Sequence, residues 1–294
     1  MGIGDFFKNI FGKKTCAFCG GECGMMSRTK IKGDEYICSK CDDMCSNFIR
    51  KSRFTKPELE GHMEYMKRLD RIYKEVILPS IKKHECYPSA TSRQGIEFFD
   101  DFGMFRVIDG SRDSKDRYPF ELIRYDQVAS YEPYIEESDP TEPGKPKVFK
   151  EGGIKIRLVG GMDDISSMRK GLRAHPYIIE EIKVCFATND REKEDLLKYA
   201  ENAIHHFDYI FGVHDDEHAL FSFGMNTKEK RDLKAAVAFT KTAFDAVKIA
   251  KNGGEITDEK KAEITENMHA IDDAQTGGLS VYTRAADAAE AKIN

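Results

Sequence analysis

The chain has 294 residues, 40% of them hydrophobic and 33% charged, with a formal net charge of −5 and no tryptophan. This length suits two or three domains at about 100–200 residues each, and the mean hydropathy of −0.55 marks a polar chain. No apolar run approaches the ~18–20 residues that span a bilayer, which excludes an integral membrane protein, and the charge balance gives no broad basic footprint for nucleic acid.

The first fourteen residues, MGIGDFFKNIFGKK, place Ile3, Phe6, Phe7, Ile10 and Phe11 at i, i+3, i+4, i+7 and i+8. That spacing makes one apolar face of a short helix, with Asp5, Lys8 and Asn9 on the other. Such a helix either touches a membrane surface or partner groove, or docks on the chain's own body. Asp5 and Lys8 interrupt the apolar residues, so the segment does not read as a secretory signal. Phe6 occupies the position where a myristoylation signal needs Ser or Thr.

Two CxxC hooks follow, Cys16-x2-Cys19 and Cys38-x2-Cys41. Four thiolates delivered from two turns can close a tetrahedron around a structural Zn²⁺, and four sulfurs leave no open position for a reacting water. Gly20 and Gly21 suit the tight knuckle after the first hook. Cys23 and Cys45 read as spare thiols, because two cysteines cannot complete a second site. Clustered cysteines in this pattern fit a reducing compartment, with the cytoplasm of a microbe as the default. Residues 1–54 hold ten basic against six acidic side chains, an excess that a zinc tetrathiolate would halve.

Thr55-x-x-Glu58 with Pro57 between them predicts a helix start. Leu59, Met63, Met66, Leu69, Ile72, Tyr73, Val76 and Ile77 then repeat at helical spacing, giving a linker helix over about 56–84 whose apolar stripe is packing. From Ile96 the period becomes that of strands. Ile96–Ile108, with Asp109-Gly110 as turn chemistry, predicts a strand pair or a bulged strand entering a hairpin. Tyr118–Arg124 and Val128–Ile135 are further strands around a Tyr125-Asp126-Gln127 turn. Residues 136–147 form a Pro- and acid-rich loop. A strand bracketed by Gly152-Gly153 and Gly160-Gly161 follows, then one at Glu181–Thr188. Asn189 or Asp190 caps a helix over about 192–211 that presents Leu196, Leu197, Ala200, Ile204, Phe207 and Ile210. Antiparallel strands closed by one amphipathic helix are the arrangement of a pleckstrin-homology-like (PH-like) domain.

The segments CAFCGGECGMMSRTKIKGDEYICSKC (16–41), FGMFRVIDG (102–110) and GGIKIRLVGG (152–161) resemble a group of bacterial proteins common in Gram-positive genomes and their mobile elements. In that group a four-cysteine, zinc-ribbon-like domain precedes a PH-like or GRAM-like domain. The resemblance implies a binding or scaffolding role and supplies no catalytic residues. Cys23, Cys45 and the residues beyond about 225 lie outside it.

The remaining segment reads as three helices: one from Asn226-Thr227 to Gly253-Gly254, one from Thr257 to about Ile271, and an alanine-rich one after Gly277-Gly278. The last has few large side chains to anchor it and is expected to be mobile or to need a partner. The predicted fold is therefore α+β. An N-terminal amphipathic helix (1–14) leads to a zinc ribbon (15–53) and a linker helix (54–84). A PH-like β domain with its closing helix (85–214) and a helical tail (215–294) follow.

Candidates for chemistry outside the hooks are weak. His214-Asp-Asp-Glu-His218 lacks the HExxH order and follows a helix end, so it reads as an acidic turn. Of His205 and His206 one should be buried and the other exposed. Cys185 reads as a buried strand residue, and Cys86 is the lone nucleophile candidate without any oxyanion signature. Asp100-Asp101 and Asp163-Asp164 are adjacent carboxylates that would face opposite sides of a strand. The expected function is that of a non-enzymatic cytoplasmic adaptor or scaffold, with contact to a protein partner or the membrane surface supplied by Ile3, Phe6, Phe7, Ile10 and Phe11. Its expected metal ligands are Cys16, Cys19, Cys38 and Cys41 around structural Zn²⁺, and its partner a protein. One alternative is a nucleic-acid-associated ribbon using Arg28, Lys30 and Lys32; another is a homo-oligomer assembled through the helical tail.

Overall fold

The structure is a computed structural model that describes residues 12–81, 85–88, 94–109, 119–140, 146–160, 171–179, 181–188, 193–212, 235–236, 238, 258–275 and 278–293. The apolar N-terminal residues, His214–His218, Asp163-Asp164, the cap at 189–190 and most of the first tail helix lie outside them.

Two short ladders open the described chain. β1 (Lys14–Thr15) pairs with β2 (Glu22–Cys23), and β3 (Arg28–Lys30) with β4 (Tyr36–Cys38). A parallel bridge from Cys16 to Tyr36 ties the two hairpins together. A single helical turn, α1 (Ser39–Asp42), follows directly on Cys38.

Helix α2 (Lys56–Arg71) starts where the capping pattern places it. Glu58 Oε2 accepts from both the backbone N–H and the hydroxyl of Thr55, each at 2.7 Å, satisfying a donor that the first turn leaves free. The helix continues through a π-turn at Ile72–Ile77 and a last α-turn at Leu78–Ser80. It is more than a linker. Leu59 is buried in the main core, while Met66, Leu69, Ile72, Val76 and Ile77 form a second cluster with Phe99, Phe102, Met104 and Leu122.

The strands form two antiparallel sheets. β5 (Glu85–Pro88), β6 (Gln94–Phe99), β7 (Met104–Asp109) and β8 (Ile123–Arg124) lie in chain order in a four-stranded sheet. β9 (Val128–Ser138), β10 (Val148–Leu158) and β11 (Ile182–Ala187) make a three-stranded sheet with β10 in the middle. The 3₁₀ turn Tyr125–Gln127 carries the chain from one sheet to the other, as the sequence predicts. The segment Ile96–Ile108 resolves into a true strand pair. Its turn lies at Asp100–Gly103 rather than at Asp109, the last residue of β7, because Gly103 takes the left-handed conformation (φ +60°) that closes the hairpin.

The expectation that glycine pairs bracket a strand holds only in part. Gly152 and Gly153 lie inside β10, at a register shift against β11. A Cβ on Gly153 would sit 2.0 Å from the Val184 carbonyl oxygen, so the bulge requires a residue without one.

Helix α3 (Lys193–Phe211) lies against strands of both sheets and buries Ala200, Ala203, Phe207, Ile210 and Phe211. The Phe207 ring meets Phe98 edge-on at 4.9 Å and Phe105 at 5.3 Å. Burying one such ring contributes roughly 1.5–3 kcal/mol, and removing it would leave a cavity among Phe98, Phe105 and Tyr131. Ile31, Ile37 and Ile49 from the cysteine-rich segment belong to the same continuous core as Ile96, Phe98 and Phe207.

Two further helices are α4 (Asp258–Gln275) and α5 (Leu279–Ala291). The alanine-rich α5 is not loose: Leu279, Ala286 and Ala289 are buried, and the latter two join the cluster of Met66 and Met104. Small side chains here permit close approach instead of denying an anchor. Among the described residues no helix is long and apolar enough to cross a membrane.

Candidate metal centre

The two hooks converge. One sulfur from each of Cys16, Cys19, Cys38 and Cys41 lies within 4.8 Å of the others, and Cys19 Sγ to Cys38 Sγ is 3.7 Å. A tetrahedron with metal–sulfur bonds of ~2.3 Å has an edge of about 3.8 Å. The donor set therefore fits one four-coordinate ion. Local backbone geometry explains the convergence. The Cys16 N–H donates to Gly21 O at 2.8 Å and the Gly20 N–H to Cys16 O at 3.0 Å, folding a knuckle with Gly20 at φ +71°. The second hook is shaped by α1, which carries Cys41 one turn beyond Cys38.

The electrostatics of the four thiols are uneven. Burial opposes ionisation of Cys16, but the backbone N–H groups around its sulfur, from Cys19, Cys38 and Phe18, outweigh it and bring the thiol down to about 6. The Cys38 N–H reaches that sulfur at 3.3 Å. Cys41 is pushed upward by burial and by the neighbouring sulfurs. Without a cation the cluster holds its first negative charge at Cys16 and resists the rest; a divalent ion removes that resistance. When bound, such an ion would supply cross-linking of the two hairpins.

Cys23 and Cys45 stand apart from this cluster. Both are buried, with Cys23 Sγ donating to Lys14 O at 3.2 Å, and burial pushes the Cys23 thiol up. They behave as small core residues. Cys185 is likewise buried, and its backbone N–H donates to Gln94 Oε1 at 2.8 Å, joining β11 to β6. Cys86 is exposed on β5, and partial burial and the nearby Glu97 push its thiol up rather than down, the reverse of nucleophile activation. His206 is largely covered and His205 largely exposed. Asp100 accepts from the Tyr125 hydroxyl at 2.6 Å and contacts His206 Nε2 at 3.1 Å, fixing α3 to the hairpin turn.

A buried polar seam joins the metal module to the rest of the chain. The Ser46 N–H donates to His62 Nε2 at 3.0 Å, and the Ser46 hydroxyl to Glu121 Oε2 at 2.8 Å. The Tyr177 ring stands edge-on to His62 at 4.5 Å, and Tyr65 lies between His62 and His175. Burial, reinforced by the charges of His175 and Lys51, lowers His62 to about 4, and burial lowers His175 to about 4. His62 sits three residues after Leu59 and four before Met66 on the buried stripe of α2, so the helical period was the signal that could have found it.

A second polar cluster had no local signal. Arg124, on β8, donates to both carboxylate oxygens of Asp126 at 2.9 and 2.8 Å, to Asp287 Oδ1 at 2.8 Å and to Glu290 Oε1 at 2.9 Å. Arg173 forms a two-pronged pair with Asp287 at 2.8 and 3.0 Å, and Arg68 approaches Glu290 at 3.7 Å. Burial alone would raise the Asp287 carboxyl, but the hydrogen bonds from Arg173 and Arg124 hold it low.

Residues 15–62 match the model of a family described as a domain of unknown function (DUF4428). The matched stretch takes in all four metal-site cysteines together with Ser46 and His62 of the seam. No curated protein and no solved structure matches the chain.

Proposed function

We propose that this chain is a non-catalytic adaptor or scaffold in which a zinc-ribbon-like module is fixed to a PH-like body. The observation that carries the reading is the order of elements: a four-stranded and a three-stranded antiparallel sheet, followed directly by a helix laid against both. That arrangement closes a core and leaves strand edges and loops to receive a partner. The metal, read as Zn²⁺ from its four-sulfur donor set, acts as a folding device. The polar groups described above hold elements together, which supports a binding role over a catalytic one.

The partner is read as a protein, with the apolar face of Ile3, Phe6, Phe7, Ile10 and Phe11 adding contact to it or to a membrane surface. The nucleic-acid alternative has less support. Arg28 donates to Gly12 O at 2.6 Å and lies over the Tyr36 ring, and Lys30 pairs with Asp34 at 2.6 Å, so two of its three basic residues are engaged within the hairpins.

The test is a tagged pull-down from native lysate and a flotation assay with anionic vesicles, run on the full chain and on a chain lacking residues 2–12. Protein capture by both, with vesicle binding lost on deletion, is the expected result. Capture of nucleic acid alone, with binding that weakens steeply with salt, would replace the adaptor reading with the ribbon alternative.

A further inference from the structure

Helix α5 fills a groove that is built to receive a helix of its particular pattern. Its apolar side, Leu279, Ala286 and Ala289, is buried, and Tyr282 stands edge-on to the buried Tyr125 ring at 5.2 Å. The floor of the groove is Phe102, Met104 and Leu122 with the π-turn of α2. At Gly103 the approach is so close that a Cβ would lie 1.9 Å from the Tyr282 carbonyl oxygen. The rim is charged. Arg124 and Arg173 meet Asp126 from the body and Asp287 from α5, while Arg124 and Arg68 meet Glu290 of α5.

The charge count in this rim is informative. With α5 in place, three cations meet three carboxylates. Without it, Arg124 and Arg173 would share Asp126 and Arg68 would lose Glu290, leaving an excess of two positive charges among these groups around an apolar trough. A vacated groove of that kind selects an amphipathic helix with small residues on its inner face and two acids three residues apart. A thirteen-residue helix is marginal in isolation, so α5 is held by this docking rather than by its own propensity. It is also remote along the chain: sixty-five residues separate Gly212, just after α3, from Gly278. Nothing in the docking chemistry distinguishes an α5 that arrives from the same chain from one that arrives from another.

We propose that this groove is an exchange site, and that its occupant in trans is α5 of a second copy of this chain. Such an exchange joins two copies through the same contacts that close one. It goes beyond the adaptor reading and does not depend on it.

The test uses the full chain with Asp287→Lys and Glu290→Lys, which sets two lysines against Arg68, Arg124 and Arg173 and so opens the groove. The probe is a fluorescein-labelled peptide of residues 278–293, followed by anisotropy, with circular dichroism to verify the fold. The opened variant should bind the peptide saturably. Wild type should bind about 100-fold more weakly, because its own helix competes at an effective concentration of about 1 mM against a peptide Kd of about 10 µM. Adding Arg173→Glu to the opened variant should weaken binding at least about tenfold, since its bidentate partner is lost. Wild type mixed with the opened variant at about 1 mM each, where a neighbour's groove competes with a chain's own, should show a species of twice the chain mass by sedimentation equilibrium. A folded opened variant that ignores the peptide overturns the groove as a receptor. Peptide binding without any two-chain species overturns exchange. Should the opened variant unfold, the same peptide is titrated into wild type, where failure to bind even at millimolar concentration overturns the proposal.

Discussion

Acidification should loosen this protein in a window set by two histidines. His62 and His175 each fall from the ordinary 6.5 to about 4 in the folded chain, chiefly because burial disfavours the charged ring. Between those values the unfolded chain binds more protons than the folded one, so stability rises with pH there. The contribution is complete above about pH 6.5, is lost as pH falls toward 4, and levels off below that. At about 1.36 kcal/mol per unit, each histidine contributes about 3 kcal/mol, and the slope with both titrating approaches about 2.7 kcal/mol per pH unit. Protonating His62 at Nε2 would also cost the bond from the Ser46 N–H. The assay is urea unfolding followed by tyrosine fluorescence at pH 4.5–7.5, for wild type and His62→Gln. Glutamine can still accept from Ser46 but does not titrate, so it should remove about half of the slope between pH 4.5 and 6.5. The thiols and carboxylates contribute equally to both chains and cancel in the difference. Identical slopes in the two proteins would refute the assignment of this window to His62.

Other outcomes follow from the same geometry. The purified chain should hold one zinc per molecule by elemental analysis, and Cys38→Ser should abolish stoichiometric binding, whereas Cys23→Ser should leave the stoichiometry at one. Gly103→Ala should destabilise by more than about 2 kcal/mol, through a left-handed backbone and a Cβ driven into the Tyr282 carbonyl; urea midpoints and increased hydrogen exchange confined to α5 would show it. Arg124→Met should cost about 3 kcal/mol in thermal or urea unfolding, because it leaves the fully buried Asp126 carboxylate with only the 3.5 Å contact to Arg173.

What could be read from the sequence was what short-range chemistry determines. The hooks at Cys16–Cys19 and Cys38–Cys41 were legible because metal geometry fixes their spacing. The start of α2 was legible because Thr55 and Glu58 satisfy each other within one turn. The 3₁₀ corner at Tyr125–Gln127 and the body of α3 were legible from turn chemistry and helical period. What escaped is determined across long separations. Gly152-Gly153 resembled a strand boundary because the carbonyl that requires a glycine belongs to Val184, on another strand. The alanines of α5 resembled a weak anchor because the groove that fits them is made by Gly103 and Met104, and its charge by Arg124. His62 belonged to a stripe that the period already defined, but its polarity concealed it among apolar neighbours. The first eleven residues and the 214–218 cluster lie outside the described structure.

The distance along the chain between Arg124 and Glu290, 166 residues, gives the fold a temporal asymmetry during synthesis. At about 5–20 residues per second, a ribosome needs roughly 8–30 s to travel from one to the other. Within that interval β9, β10, β11 and α3 are made, so the sheets and α2 can assemble and Asp126 can neutralise one arginine while the trough is still without its own helix. On a polysome, where several nascent chains mature side by side, the first acidic helix to reach an open trough could come from a neighbour that started earlier. Translation order would then decide whether a given molecule closes on itself or on its sibling.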